Sequence, residues 1–402
     1  MAFRILHPLI AALFAFGPLF FAMFANSVVA QAYLGSAIAL SSLIILERVF
    51  NRSLPTWTLF LLMAASVVMI CYWALLLASG SGVDSADTFK VLGRLSIMPL
   101  VLCAAGLIDW RRPSVIRCVS ITAIVLLSLF TLVHLNNGMT TGLIFLELHS
   151  NFLGIIGGFA IIFAFYFRRI GRSSILNILL AAVGLIACVC SVSRTSYAVV
   201  ILFFGIYFIY CLIGVRPITA LPAVVLTIAA AITLSLSWPN WIEHPTVQRA
   251  SEVSMEHLGK RLGGGRALMW QKGKMRFEKN PWIGTGTEAH ADWTVIKKNG
   301  EVLKLSIHNY YYAVLHESGI IGLAIITAYI MAITWVLSTG HNMDSMTLGI
   351  AFLLVLLIHQ ITEVSLTTGS FMVGIAMWTG LGAMLSGSRS IPVDPRRAVS
   401  LW

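Results

Sequence analysis

The sequence contains few charged residues. Only 11% of its 402 residues are Asp, Glu, Lys or Arg, whereas 58% are hydrophobic and the mean hydropathy is +0.89. A soluble domain has about 25% charged residues, so this composition excludes an ordinary soluble protein. Apolar runs of about 20 residues, the length that crosses a bilayer core, follow one another along the chain. The composition therefore predicts an all-α, polytopic integral membrane protein.

Several chemical signatures are also missing. The six cysteines all lie in or beside apolar segments, so neither a disulfide framework nor a CxxC metal pair is expected; they are Cys71, Cys103, Cys118, Cys188, Cys190 and Cys211. The motifs HExxH, GxSxG and Asp-x-Asp do not occur, and no GK[ST] indicates a nucleotide. The sequence thus gives no support to a metal-dependent mechanism, and we expect no metal and no cofactor.

We predict about twelve transmembrane helices in a single membrane domain, residues 1–402. The predicted spans are 8–25, 27–46, 57–79, 91–109, 115–135, 143–167, 175–193, 197–215, 218–236, 319–338, 344–362 and 368–386. A second span follows the first at once, so we predict that the N-terminal segment is retained and is not a cleaved signal peptide. One large loop, residues 237–306, lies between spans nine and ten, with amphipathic helices inserted in it.

Lysine and arginine are distributed unevenly between the two predicted sides. With the N-terminus inside, the inner segments hold thirteen arginines, whereas the outer side apart from the large loop has only Lys90, Arg94 and Arg194. Because positive charge favours the cytoplasmic side, this asymmetry places the large loop outside, although the loop itself is basic. Nucleic acid is not an expected partner for a loop on that face.

Ionisable side chains are costly inside a membrane, so those at span ends are candidates for function. Glu147 and His149 open span six, Arg194 lies between spans seven and eight, and His359 and Glu363 close span eleven. All five fall at the predicted outer level, where the large loop also begins and ends. We predict that Glu147, His149 and Glu363 line a substrate site.

Two arginines are candidates for binding an anion. Arg194 stands in the short segment SVSRTSYAVV, and its planar guanidinium suits phosphate oxygens. Arg266 follows three glycines and begins RALMWQKGKMRFEK, where free N–H groups at a helix start would favour an anion. The alternatives are a snorkelling interfacial arginine and a linker before an interfacial helix.

His308-Asn309 opens the segment HNYYYAVLHESG at the point where the loop re-enters the membrane. His308 and Tyr312 share a helix face, and a histidine can act as a base near neutral pH. A structural histidine is the alternative, and it is how we interpret His316. Gly319 predicts a turn into the following span.

The order SRTSYA, GRALMW…NPWIGTG and HNYYYAVLHESGIIGL resembles the O-antigen ligase superfamily over roughly residues 140–390. The resemblance implies an inverting, metal-independent glycosyltransferase of the GT-C type in the bacterial inner membrane, with its active site facing the periplasm. Its donor would be a glycan on undecaprenyl diphosphate. Arg194 and Arg266 would then bind the diphosphate and His308 would receive or orient the acceptor proton, while substrate contacts would come from Asn309, Tyr312, His149, Glu147 and Glu363.

Within this superfamily we favour the ligase, which attaches O-antigen to the lipid A–core oligosaccharide. The chain length near 400 residues, the single dominant loop and the short C-terminal tail favour it over the protein O-oligosaccharyltransferases. An O-antigen polymerase is the alternative, because Arg194 and Gly205 show an R-x10-G spacing; at Arg266 the matching position is Phe277. A transporter or flippase is a further alternative. Membrane lipids and other O-antigen assembly proteins are the expected partners.

Overall fold

A computed structural model describes residues 3–22, 27–79, 85–136, 150–170, 174–191, 193–242, 244–258, 266–286, 294–296, 302–304, 309–362 and 371–389. Nine helices precede the large loop in this part of the chain. They are α1 (Phe3–Ala22), α2 (Ser27–Phe50), α3 (Thr56–Ala78), α4 (Ser85–Leu107), α5 (Pro113–Asn136), α6 (Ser150–Arg169), α7 (Ile175–Ser191), α8 (Arg194–Ile213) and α9 (Pro217–Ile242).

The loop contains two helices and a small hairpin. Its elements are α10 (Pro245–Leu258), α11 (Arg266–Lys279), β1 (Thr294–Ile296) and β2 (Val302–Lys304), and the strands pair antiparallel with Val295 opposite Leu303. Three helices follow: α12 (Tyr310–Ser338), α13 (Met343–His359) and α14 (Phe371–Arg389). Apart from the hairpin, which the sequence did not predict, the described elements are helical.

A helix occupies each of the twelve segments predicted to span a membrane. Seven of these helices are long and apolar enough to cross a bilayer by length and composition. They are Ala32–Phe50, Thr56–Ala78, Pro113–Leu135, Phe152–Arg169, Thr195–Ile213, Pro217–Ser237 and Tyr310–Ser338, and shorter apolar helices accompany them. The structure is thus that of a multi-pass membrane protein, whereas the count of twelve spans stays a prediction.

Large apolar side chains point outward along the helix bundle. Met63 and Ile70 on α3 are 62% and 65% exposed, and Ile201 and Leu212 on α8 are 70% and 71% exposed. In water such a surface would be unfavourable, but it suits contact with lipid tails.

Close backbone contact replaces large side chains where helices cross inside the bundle. A Cβ atom added to Gly157 on α6 would lie 2.8 Å from the carbonyl oxygen of Gly184 on α7, and the reverse distance is 2.6 Å. Only glycine allows this approach, which is typical of helix pairs in membranes. Aromatic packing fills the neighbouring core, where the rings of Phe16 and Trp110 lie 6.0 and 5.9 Å from that of Phe163.

The helices end at two levels, which we call the loop end and the far end. At the loop end, where α9 ends and α12 begins, Asn309 bonds to Ser235, and the Tyr310 amide donates to Gln360 after α13. At the far end, the amides of His341 and Asn342, between α12 and α13, donate to the Ser388 carbonyl near the end of α14. Helix α8 ends at Ile213, four residues before α9 begins at Pro217. The short link puts the end of α8 beside the start of α9 at the far end, so α8 begins at the loop end.

Candidate active site at the loop end

Arg194 is the first residue of α8, in a turn that packs against the start of α6. The Ser191 hydroxyl donates to the Cys188 carbonyl at 2.7 Å and accepts from the Ser193 amide at 3.2 Å. Gly154 of α6 lies so close that an added Cβ atom would contact Ser191 and Ser196. The segment after Glu147 and His149 therefore reaches the same level as the turn that carries Arg194.

Two hydroxyls near this turn are buried without a partner. Ser193 and Ser196 are fully buried, and neither Oγ atom has a hydrogen-bond partner among the described residues. Ser193 precedes α8 in extended conformation, and its side chain does not cap the helix. Buried hydroxyls without partners are uncommon, because each loses its hydrogen bonds to water. Here they lie at a helix start, where partial positive charge accumulates.

The start of α12 is tied to two neighbouring helices. Asn309 caps α12, since its Oδ1 atom accepts from the Tyr312 amide at 3.1 Å. Its Nδ2 atom donates to the Ser235 hydroxyl on α9 at 2.8 Å, and the Tyr312 hydroxyl donates to the Ser235 carbonyl at 3.0 Å. On the other side, the Tyr311 hydroxyl donates to the Leu357 carbonyl of α13 at 2.8 Å. These bonds fix the position that directly follows His308.

The helix that begins with Arg266 packs beside α12. Trp270 of α11 is 3% exposed, and its ring centroid lies 6.1 Å from that of Tyr312 at an interplanar angle of 48°. Trp270 is four residues from the start of α11 and Tyr312 is three residues after the Asn309 cap, so each contact lies about one helical turn from its helix start.

Helix α12 is broken at Gly319, where φ is 64° and ψ is −164°, which confirms the predicted turn. The helical bonds from residues 320 and 321 are replaced by bonds to residues 281–286, a segment that we call the clip. The amides of Ile320 and Ile321 donate to the Pro281 and Trp282 carbonyls at 2.9 and 3.1 Å. The helical segment before the kink begins at Tyr310, nine residues before the start of the predicted span at residue 319.

The carbonyls released at the kink are also satisfied by the clip. The Thr285 amide donates to the His316 carbonyl at 2.8 Å, and the Gly286 amide donates to the Glu317 carbonyl at 3.0 Å. Gly284, at φ 71°, lies against the same backbone, because a Cβ atom added there would be 2.5 Å from the Glu317 carbonyl carbon. Buried backbone groups in a membrane protein require such replacement partners.

These contacts show that α11 and the first part of α12 run in the same direction. Trp270 meets Tyr312 near both helix starts, and Trp282 meets Ile321 further along both segments. The N-termini of the two helices therefore lie side by side at the loop end. The amides of Tyr310 and Tyr312 are already bonded at the α12 start, but each helix start carries the partial positive charge of its helix dipole. The pair therefore favours an anion there.

The described residues cover the predicted site in part. Asn309 and Tyr312 lie at the start of α12 as described above, and both side chains are buried in helix contacts. For Arg194 and Arg266 the structure describes the backbone, which begins α8 and α11. Four further predicted residues lie outside the described residues: His308, His149, Glu147 and Glu363.

The sequence analysis missed three residues that shape this region. Ser235 gave no signal, because a lone serine in an apolar run is ordinary. The main-chain carbonyl of Gln360 accepts a hydrogen bond from the Tyr310 amide. A bond between main-chain groups does not depend on side-chain type, so the sequence could not indicate it. Glu317 is 1% exposed inside a membrane-type helix, beside Tyr72 of α3, and its burial could have been suspected, because carboxylates there are rare and often functional.

Comparison with known proteins covers the same region. Residues 179–327 match the model of a family described as O-Antigen ligase. No curated protein matches the chain. The matched segment runs from α7 past the kink of α12, so it contains the α8 start, the loop and the clip. The match covers less than half of the chain, and it supports a relationship of this segment to the O-antigen ligase superfamily.

Proposed function

We propose that this protein is an O-antigen ligase. It transfers a glycan en bloc from undecaprenyl diphosphate to a sugar hydroxyl of the lipid A–core oligosaccharide, as an inverting GT-C glycosyltransferase without metal or cofactor. The superfamily match supports the general activity. The observation that carries the proposal is the side-by-side arrangement of the α11 and α12 starts, held by the Trp270–Tyr312 contact and the clip.

The donor diphosphate carries the charge that this site must stabilise. In the proposed reaction the acceptor hydroxyl oxygen forms a bond to the anomeric carbon, and the bond from that carbon to the diphosphate oxygen breaks. Arg194 and Arg266 bind the diphosphate and stabilise the negative charge that grows on it as it leaves. His308 takes the proton of the acceptor hydroxyl.

The remaining predicted residues contact substrate or hold the site together. Asn309 and Tyr312 fix the first turn of α12 through Ser235. Because both side chains are fully buried, they position His308 and do not contact the acceptor themselves. Glu147, His149 and Glu363 bind acceptor hydroxyls. In the proposed orientation the loop end faces the periplasm from the inner membrane, where membrane lipids and other O-antigen assembly proteins are its neighbours.

An O-antigen polymerase is the alternative within the same superfamily. The R-x10-G spacing from Arg194 to Gly205 favours it. In the structure Gly205 is exposed on α8, and a Cβ atom added there would have no atom within 4 Å. Packing therefore gives no reason for glycine at this position, and the spacing alone carries the alternative.

The test is a gel of lipopolysaccharide from cells that lack the gene, together with the pool of undecaprenyl-linked glycan. A ligase predicts that lipid A–core loses its polymer ladder while full-length polymer accumulates on the carrier. A single repeat unit still joined to lipid A would instead identify a polymerase. An unglycosylated protein with intact lipopolysaccharide would identify an oligosaccharyltransferase, and unchanged products would favour a transporter.

Complementation with point variants tests the residue roles. We expect His308→Ala and Arg266→Ala to leave the ladder absent although the protein accumulates normally in the membrane. The matched controls are His244→Ala and Arg276→Ala, a loop histidine and an arginine further along α11, which should restore the ladder. Restoration by His308→Ala would contradict its role as the base.

A further inference from the structure

A second polar cavity lies at the far end of the bundle, away from the proposed active site. It has a volume of about 490 Å³ and is lined by residues from the ends of α2, α3, α4 and α14 and from the link between α12 and α13. The part of α12 after the kink, residues 320–338, leads to this end, so the cavity lies about 28 Å along that helix from Gly319 and the clip. It is therefore separate from the site already described.

The lining of this cavity is positively charged. Arg48 and Arg389 supply the charge, His341 also lines the cavity, and none of the described lining residues is Asp or Glu. Glu47, which precedes Arg48 in the sequence, does not line the cavity. Its Oε2 atom lies 3.7 Å from the Nε2 atom of His7. A lining with two arginines and no acidic residue among its described members favours an anionic ligand.

Hydrogen bonds to neighbouring segments hold the two arginines in place. Arg48 donates from Nη2 to the Leu107 carbonyl at 3.1 Å, and Arg389 donates from Nη2 to the Thr339 hydroxyl at 2.8 Å. The Nε atom of Arg389 is buried and has no hydrogen-bond partner among the described residues. A bound oxygen acceptor would satisfy this donor.

The start of α3 adds a further contribution of the same sign. Thr56 and Trp57 line the cavity and form the first turn of this 23-residue helix. Pro55 precedes them, and no side chain caps the helix. The N-terminal partial charge of α3 therefore acts on the same space as the arginines.

The surroundings indicate how an anion could arrive there. Apolar side chains next to the cavity are exposed on α2 and α3, including Phe50 at 82% and Leu59 at 49%. They offer a surface for acyl chains, while the polar cavity is at the level of headgroups. Basic pockets between transmembrane helices bind lipid headgroups in this way.

We propose that this cavity binds a phosphate group, supplied by the headgroup of an anionic lipid such as phosphatidylglycerol. The proposal does not depend on the activity proposed above. Inorganic phosphate presents the same chemistry to the arginines, so the experiment includes both.

The experiment uses full-length protein in detergent, equilibrated with phosphatidylglycerol and phosphatidylcholine, and counts bound lipid by native mass spectrometry. Arg48→Gln and Arg389→Gln should each lower phosphatidylglycerol retention at least about tenfold, because each removes a charged donor. Arg117→Gln is the matched control: Arg117 is an exposed arginine near the start of α5 and does not line the cavity. It should retain the lipid like the original protein.

A second variant separates binding from folding. Thr56→Glu introduces a carboxylate into the cavity at the start of α3, where an acidic residue favours the helix. We expect its unfolding temperature in lipid-free detergent to be unchanged or higher, while lipid retention falls; Thr56→Gln should change neither. Arginine-dependent binding of millimolar phosphate, with no preference between the lipids, would assign free phosphate as the source. Equal retention in all variants would overturn the proposal.

Discussion

Gly319 of α12 lies directly against the backbone of Trp282 in the clip. A Cβ atom added to Gly319 would be 2.3 Å from the Trp282 carbonyl oxygen, so the two segments approach as closely as a glycine allows. The loop is therefore bonded to the membrane helix through main-chain atoms at this point. Through this contact α11 and the first part of α12 are held in parallel.

Gly319→Ala should break this contact. At φ 64° and ψ −164° the backbone adopts a conformation that is essentially restricted to glycine. We expect a loss of about 3 kcal/mol in stability from backbone strain and displacement of the clip, with loss of the lipopolysaccharide ladder. Thermal unfolding in detergent measures the first effect. Gly205→Ala, in an open helical position, is the control and should be neutral or stabilising.

Asn309→Ala and Asn342→Ala form a matched pair. Each asparagine caps a helix, with its Oδ1 atom 3.1 Å from the amide three residues later. Asn309 also donates to Ser235. We expect Asn342→Ala to cost about 1 kcal/mol and Asn309→Ala about 2–3 kcal/mol, and only the latter to reduce glycan transfer.

Unfolding of the single variants Asn309→Ala and Ser235→Ala and of their double variant would isolate the shared bond. A coupling energy of about 1 kcal/mol is expected. Strictly additive losses would show that the Asn309–Ser235 bond does not stabilise the start of α12.

Trp270→Ala should release α11 from α12. Trp270 is 3% exposed, whereas Trp282 is 64% exposed, so the loop provides a buried tryptophan and an exposed one. We expect Trp270→Ala to cost about 3–5 kcal/mol and to expose Lys274 and Arg276 to trypsin. Trp282→Ala should cost less than about 1 kcal/mol and leave the cleavage rate unchanged. Similar cleavage of both variants would contradict the proposed anchoring of α11.

Ser196→Ala tests the buried hydroxyls beside Arg194. Since the Ser196 hydroxyl has no partner in the described structure, its removal should not lower the unfolding temperature. If the donor diphosphate binds here, the KM for the donor should rise about five- to tenfold, the effect of one lost hydrogen bond. Ser120→Ala removes another buried hydroxyl without a described partner, on α5, and should leave KM unchanged. An unchanged KM in both variants would place the diphosphate elsewhere.

The sequence predicted the positions of the apolar helices well, because an apolar run long enough to span a bilayer has few alternatives to a helix. The turn at Gly319 was predicted for a similar reason, since glycine tolerates conformations that other residues avoid. The helical part of α12 before Gly319 was expected from the helix face that His308 and Tyr312 share, whereas its packing partners were not. Its first turns are polar and aromatic, and they are helical because they pack between α9 and α13.

The partners of each segment could not be predicted. Ser235 and Asn309 are 74 residues apart in the chain, and no local sequence pattern indicates that the two side chains bond. The clip is bonded through amides and carbonyls, which every residue except proline possesses in full. Likewise, Arg48 and Arg389 meet at the far-end cavity only after several helices have packed.

The clip divides the large loop into a fixed part and an exchangeable part. Its bonds to α12 are mostly between main-chain groups, and the Thr285 hydroxyl adds one to the His316 carbonyl. They therefore place few demands on side chains apart from Gly284, Thr285 and Gly319. A chimaera that replaced α10 and the β-hairpin with those of a relative would keep α11 and α12 in register. The contact between the clip and α12 therefore holds its position while the sequence of the remaining loop varies or is redesigned.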